Sequence, residues 1–200
     1  MRIKSSRLWG STADEATRME DYARILDFLP QGHPDQSKFH REPLTYALGV
    51  DEFKLFELVP KEGVTLSVGQ RVYIGKDVDM RKEVLHVKRR VGYEELTTAA
   101  QKELPFVIQE TVKEKEAKFV DFFNRAQAIT TRFHMLELLP GLGKKTMWAI
   151  LEERKKGPFK SFEDLDQRVP SVHHPEKLIA KRIEMEISDP TQKYRLFVAR

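Results

Sequence analysis

Along residues 21–93 apolar positions alternate with polar ones or gather in short runs closed by Gly or Pro, whereas beyond residue 93 they recur every three or four positions. A period near two belongs to a strand and a period near 3.6 to a helix, so the chain changes secondary-structure class once. Strands are predicted in DYARILDFL (21–29), LTYALGV (44–50), FKLFELV (53–59), QRVYIG (70–75) and EVLHVKRRV (83–91), with Gly-marked turns between them. On the last of these, alternation assigns Leu85, Val87 and Val91 to one face and His86, Lys88 and Arg90 to the other, a basic outer stripe. In EAKFVDFFNRAQ (116–127) the spacing of Phe119, Val120, Phe122, Phe123 and Ala126 predicts a helix with one buried face, and residues 94–187 read as helix with short turns. The expected class is α+β. A flexible leader (1–20) precedes a small β-barrel (21–93), connecting helices (94–130), a helical unit (131–188) and an extended, strand-like tail (189–200).

One interruption carries chemistry. In LPGLGKKTMWAIL (139–151), Pro140 opens a tight turn after a predicted helix bearing Met135, Leu136 and Leu139, and Gly141 and Gly143 permit positive φ and bare the backbone. Met147, Ile150 and Leu151 then restart a helix at packing spacing. A helix start leaves amide N–H groups without carbonyl partners, and Lys144 and Lys145 set full charges beside them, an arrangement suited to a phosphate. The frame returns downstream, where Val169, Pro170, Ser171, Val172 and His173 stand against Leu139, Pro140, Gly141, Leu142 and Gly143. PEKLIAKRI follows as a second helix, and PFKSFEDLDQRV is the predicted link, with Ser161 as its cap and Asp164 in its first turn. The second copy lacks both glycines, so it is expected to pack more than to grip, with Lys177, Lys181 and Arg182 as weak backbone contacts.

Composition narrows the options. The absence of cysteine from 200 residues excludes disulfides, thiolate catalysis, cysteine-ligated zinc and iron–sulfur clusters, and makes the cytoplasm the expected compartment. No apolar run approaches the roughly 20 residues of a membrane span, and the first residues lack a signal-peptide core, so no membrane partner is expected. Lys and Arg number 35 against 31 Asp and Glu, a net +4, so charge acts through local patches. Those patches are HVKRRVG (86–92) and the set Lys144, Lys145, Arg154, Lys155, Lys156 and Lys160. His33, His40 and His86 match no ligand spacing, and Asp77, Asp79 and Glu83 read as a solvated turn, so no metal site is predicted. No phosphate-binding Walker loop, dinucleotide fingerprint or Ser/His/Asp set stands out, and no catalytic residue is assigned.

Four resemblances add to this reading. The five strands, with GVTLSVGQRVYIG (63–75) at their centre, resemble the oligonucleotide-binding (OB) barrel, in which Tyr46 and Tyr73 would stack on bases and Lys88, Arg89 and Arg90 would offer a second binding surface. LPGLGKKTMWAIL resembles the helix-hairpin-helix (HhH) motif, and the repeat resembles its tandem form. That resemblance implies a sequence-independent grip on one nucleic-acid backbone by Gly141, Leu142, Gly143, Lys144, Lys145 and Thr146, with a monovalent cation at the turn carbonyls and no other cofactor. The same motif is similar to that of HhH base-excision glycosylases, which would make Lys145 a nucleophile with Asp164 or Asp166 beside it. The helices building such an enzyme's base pocket are not predicted, and Met147 replaces the usual alanine. Barrel followed by tandem, over roughly residues 20–190, resembles the archaeal DUF655 family of predicted RNA-binding proteins, whose genes accompany those of transcription and ribosomal-RNA modification. The implied function is non-enzymatic nucleic-acid binding, RNA before DNA. A repair lyase or a protein-binding adaptor among ribosomal or transcription-complex proteins is the alternative.

Overall fold

The structure is a computed structural model that describes residues 7–10, 19–35 and 41–199. The chain divides into two compact units, Met1–Thr12 with Ile108–Phe197 and Ala13–Val107 with Val198–Arg200.

The second of these holds the five predicted strands, β1 (Tyr22–Leu29), β2 (Leu44–Gly49), β3 (Leu55–Pro60), β4 (Arg71–Tyr73) and β5 (Val84–Arg90). All pair antiparallel in the order β4-β1-β2-β3-β5, a single sheet curled into half a barrel with β4 and β5 as its edges. Ala23, Ile25, Ala47, Phe56, Leu58, Val72, Ile74 and Val84 form one core cluster, while β2 and β3 are buried along their whole length, as expected of central strands covered on both faces. Three carbonyls on the edges converge on Arg81, whose guanidinium donates to Gly75 O at 2.8 Å, Ile74 O at 3.4 Å and Leu85 O at 3.4 Å. The turn between β2 and β3 is held by Glu20, whose carboxylate accepts from the amides of Asp51 (2.8 Å), Glu52 (2.7 Å) and Lys54 (3.4 Å). Burial pushes the Glu20 carboxyl upward, against amide bonds that favour its ionised form.

Strict alternation fails on β5. Its pairing with β3 slips between Glu57 and Leu58 and again between Val59 and Pro60, so Lys88 and Leu85 are extra residues in bulges. Leu85, expected inside, is 53% exposed. Arg90, expected on the outer stripe, pairs with Phe56, a core residue, and directly paired residues share a face of the sheet.

Helix α1 (Thr98–Glu114) begins under Thr97, whose hydroxyl donates to Asp27 at 2.6 Å and accepts from Ala100 N at 3.1 Å. In the other unit, α2 (Glu116–Arg125) buries Phe119, Val120, Phe122 and Phe123, the predicted stripe. Continuous helix does not follow. The strands β6 (Ala128–Thr130) and β7 (Phe133–His134) form a short antiparallel ladder, and the predicted helix before the Pro140 turn is one 3-10 turn, Met135–Leu138. Helices α3 (Lys144–Lys155), α4 (Phe162–Arg168) and α5 (Pro175–Ser188) complete the unit, with Ser161 Oγ accepting from Asp164 N at 2.9 Å at the start of α4.

Among its described residues the tail forms no strand. Arg195 makes a single bridge to Arg7, and the amides of Leu196 and Phe197 donate to the carboxylate of Glu186 at 2.6 and 3.0 Å. Glu186 is fully buried and pairs at 2.8 Å with Arg182, which is itself 4% exposed along its side chain and donates on to Tyr194 O and Leu138 O. Arg182 is therefore no surface contact: α5 turns it inward, where it ties the helix to the segment that leads into the Pro140 turn. The leader's residues 1–6 and 11–18 lie outside the described set, as does His40.

Candidate nucleic-acid interface

The turn before α3 is set by short-range chemistry. His134 Nδ1 accepts from Leu136 N at 3.1 Å while Glu137 Oε2 accepts from His134 N at 2.8 Å, a reciprocal cap on the 3-10 turn. Burial, and then the nearby Arg154 charge, hold the His134 imidazole below its ordinary value, which suits its role as an acceptor. Leu139 O then accepts from Leu142 N at 3.1 Å, and Leu139 and Leu142 are buried while Gly141 and Gly143 face outward. Gly141 has φ +87°, the left-handed value that glycine tolerates. Gly143 does not: its φ is −84°, and it serves as the N-cap of α3 in extended conformation. A Cβ at either glycine would meet nothing within 4 Å, so packing within the protein does not require glycine at 143.

The first intrahelical donor of α3 is Met147 N, bonded to Gly143 O at 3.0 Å. Among the described residues the amides of Gly141, Gly143, Lys144, Lys145 and Thr146 have no acceptor, so several N–H groups crowd one exposed turn. The two lysines differ. Lys144 Nζ lies 3.3 Å from Glu137 and 3.4 Å from Arg132 O, so half its role is internal, whereas Lys145 has no carboxylate partner among the described residues.

Most of the rest of the expected basic cluster is spent elsewhere. Arg154 donates to Phe123 O (3.1 Å) and Ala126 O (3.0 Å), closing the C-terminus of α2, and Lys155 and Lys156 pair with Glu152 and Glu153. Asp164 accepts from Lys160 N at 2.9 Å and pairs with Arg168 at 3.3 Å.

The downstream copy repeats the frame and changes its surface. Val172 N donates to Val169 O at 3.0 Å, the counterpart of the Leu142 bond, yet left-handed backbone moves to His173 (φ +47°) and His174 (φ +56°). Pro175 at the first position of α5 has no N–H to offer, so this helix start is poorer in donors than that of α3. The Lys177 side chain has no ion-pair partner among the described residues, and Lys181 pairs with Glu184.

On the half-barrel, the bulge at Lys88 turns Lys88 and Arg89 to one side, where both pair with the buried Glu57, at 3.0 and 2.8 Å. Arg89 also binds Glu95. Tyr46, paired with Glu57, is 3% exposed and cannot stack on a base as expected. Tyr73 is half-buried against Tyr22 in an edge-on contact, with the Arg71 guanidinium 4.0 Å above the Tyr22 ring. Asp77 caps a 3-10 turn by accepting from Asp79 N, and among the described residues no group of three His, Asp or Glu is placed to hold a metal ion.

One residue escaped the sequence reading. Trp148 is 59% exposed, on α3 one turn beyond Lys144 and Lys145, and it lines a small groove with Arg132, Phe133 and Lys144 beside the β6–β7 ladder. A large aromatic inside an apolar helical run is read as core by default, although Met147 and Ile150 already define the buried face.

Comparison with known proteins places these features in a lineage. The chain is 47% identical over 182 residues to the uncharacterized protein MJ0038 of Methanocaldococcus jannaschii, covering 90% of this chain and 81% of that one. It is 54% identical to Af1531 from the archaeon Archaeoglobus fulgidus, whose crystal structure matches with a TM-score of 0.84 over 90% of this chain and all of that one. Residues 19–199 match the sequence model of the family described as protein of unknown function DUF655, and the chain belongs to that family.

Proposed function

We propose that the protein binds the sugar–phosphate backbone of a nucleic acid through the turn before α3. The observation that carries this reading is the set of amides at Gly141, Gly143, Lys144, Lys145 and Thr146, which like the Lys145 ammonium have no partner among the described residues, with open space above both glycines. Amides and lysines of this kind recognise phosphate without reading bases, so binding tolerates sequence and weakens with salt. The resemblance to HhH motifs supports it, with a single 3-10 turn standing in for the first helix, and the five-stranded half-barrel supports the OB likeness at the level of architecture. RNA is the preferred partner on the family resemblance, and Trp148 supplies a stacking surface for an unpaired base.

The test is a titration of the purified protein against single- and double-stranded RNA and DNA at two salt concentrations, repeated with Gly143→Val/Lys145→Glu. Binding is expected to fall about tenfold or more in the variant, the scale of charged hydrogen bonds removed. Unchanged affinity in a folded variant sinks the reading. Borohydride trapping on abasic-site DNA checks the lyase alternative through Lys145. Partner capture that survives nuclease treatment would favour a protein-binding adaptor.

A further inference from the structure

A cavity of about 340 Å³ opens at the end of the half-barrel, between β3, β5 and the residue that follows β4. Its floor is apolar, made by Phe56, Ile74 and Val87, and Met19, 55% exposed, forms a lip. Pockets that hold small ligands have this size and this character, mostly apolar with a few placed charges. Arg81, Lys54 and Arg90 bring positive charge to the lining, which also holds His86 and the carboxylate of Glu20, and the two arginines are not equivalent. The donors of Arg81 are committed to the carbonyls of Ile74, Gly75 and Leu85. Arg90 is placed on the core side of β5 by the bulge at Lys88 and stays exposed at the rim, and its guanidinium has no hydrogen bond or ion pair among the described residues. Partial burial lowers the pKa of its guanidinium, and the opposing influence comes from Glu20, whose oxygens are already occupied by three backbone amides. A partly desolvated cation with idle donors, set over an apolar floor, is complementary to an anion with a flat apolar body.

We propose that this cavity is a nucleoside monophosphate site, with the base against Phe56, Ile74 and Val87 and the phosphate on Arg90. The choice of a nucleotide among such anions rests on the nucleic-acid reading above. The nucleotide is either the 5′-phosphorylated end of a strand or a free molecule, since both present the same chemistry. The turn before α3 belongs to the other unit of the chain.

Calorimetric titration of the full chain tests the proposal, with adenosine monophosphate, adenosine, and a tetra-adenylate with and without a 5′-phosphate as probes. Adenosine monophosphate is expected to bind about tenfold or more tightly than adenosine, and Arg90→Gln to abolish that difference, while Arg90→Lys restores part of it. The 5′-phosphorylated tetramer binding as well as the monophosphate identifies a strand end. The monophosphate binding with both tetramers excluded identifies a free nucleotide in the same site. No binding of the monophosphate, or binding that Arg90→Gln leaves unchanged, overturns the proposal. The Gly143→Val/Lys145→Glu variant separates the two sites. If it keeps monophosphate binding and loses longer strands, both readings stand. If it binds longer strands like the unaltered chain, the backbone-gripping turn is wrong while the cavity is judged on Arg90 alone.

Discussion

Gly141 and Gly143 are alike in sequence and unlike in conformation, which makes their substitution by alanine a residue-scale experiment. At φ +87° an alanine at 141 is strained, and Gly141→Ala is expected to cost about 1–2 kcal/mol. Gly143→Ala meets no clash and no positive φ, so its effect on stability is expected to stay within about 1 kcal/mol, as for a mediocre N-cap. Urea denaturation of the two variants measures the contrast, and equal losses would mean that the turn is not built as described. His134 offers a second residue-scale test. With its folded pKa below 6.5, the unfolded chain binds a proton near and below that pH that the folded chain refuses. Its contribution is therefore complete above pH 6.5 and is lost as pH falls towards the depressed folded value. Melting temperature followed downward from pH 7 should drop more steeply for the unaltered protein than for His134→Asn, which keeps an acceptor for Leu136 N and does not titrate.

At the scale of elements, the predicted strands and α2 are present because their periodicity reflects burial, the strongest signal a chain carries. What the pattern did not carry depends on partners distant in sequence. The bulges of β5 follow from its register against β3, and they decide that Lys88 and Arg89 meet Glu57 while Arg90 faces the core side. The tail looked like a strand from its apolar residues, but the carboxylate of Glu186 takes the amides of Leu196 and Phe197 in place of a neighbouring strand. Lys177, Lys181 and Arg182 looked equivalent on a basic helix, and only the rotation of α5 shows that Arg182 is interior. The candidate turn was legible almost whole, because its proline, glycines and lysines act locally; the differing conformation of Gly143 and the exposure of Trp148 were not. The Arg182–Glu186 pair gives the prediction that belongs here. Arg182→Ala removes the ion-pair partner of a fully buried carboxylate, which keeps the amides of Leu196 and Phe197, and is expected to cost about 3 kcal/mol, whereas Arg182→Met/Glu186→Leu, which removes both charges, is expected to recover part of that loss. Thermal denaturation of the single and double variants checks it, and a double variant weaker than the single would contradict it.

For the whole molecule, the decisive quantity is how many cations of the expected patches remain available. A net charge of +4 and clustered lysines suggest a broad electrostatic footprint, yet Arg154, Arg168 and Arg182 donate to backbone carbonyls, and Lys88, Arg89, Lys155, Lys156 and Lys181 have carboxylate partners. A ligand held by the turn before α3 therefore neutralises one or two phosphates, through Lys145 and in part Lys144, while the amides contribute without displacing many counterions. Each neutralised phosphate changes the slope of log K against log salt by about −0.9 for duplex DNA and about −0.7 for a single strand. The expected slope is thus shallow, about −1 to −2, and Lys145→Glu should flatten it by about one. A slope of about −4 or steeper would mean that the internal ion pairs open to meet the ligand or that a further cationic surface joins in. Repeating the measurement with Arg90→Gln decides whether the half-barrel cavity is that surface, because only then does the substitution reduce the slope as well as the affinity.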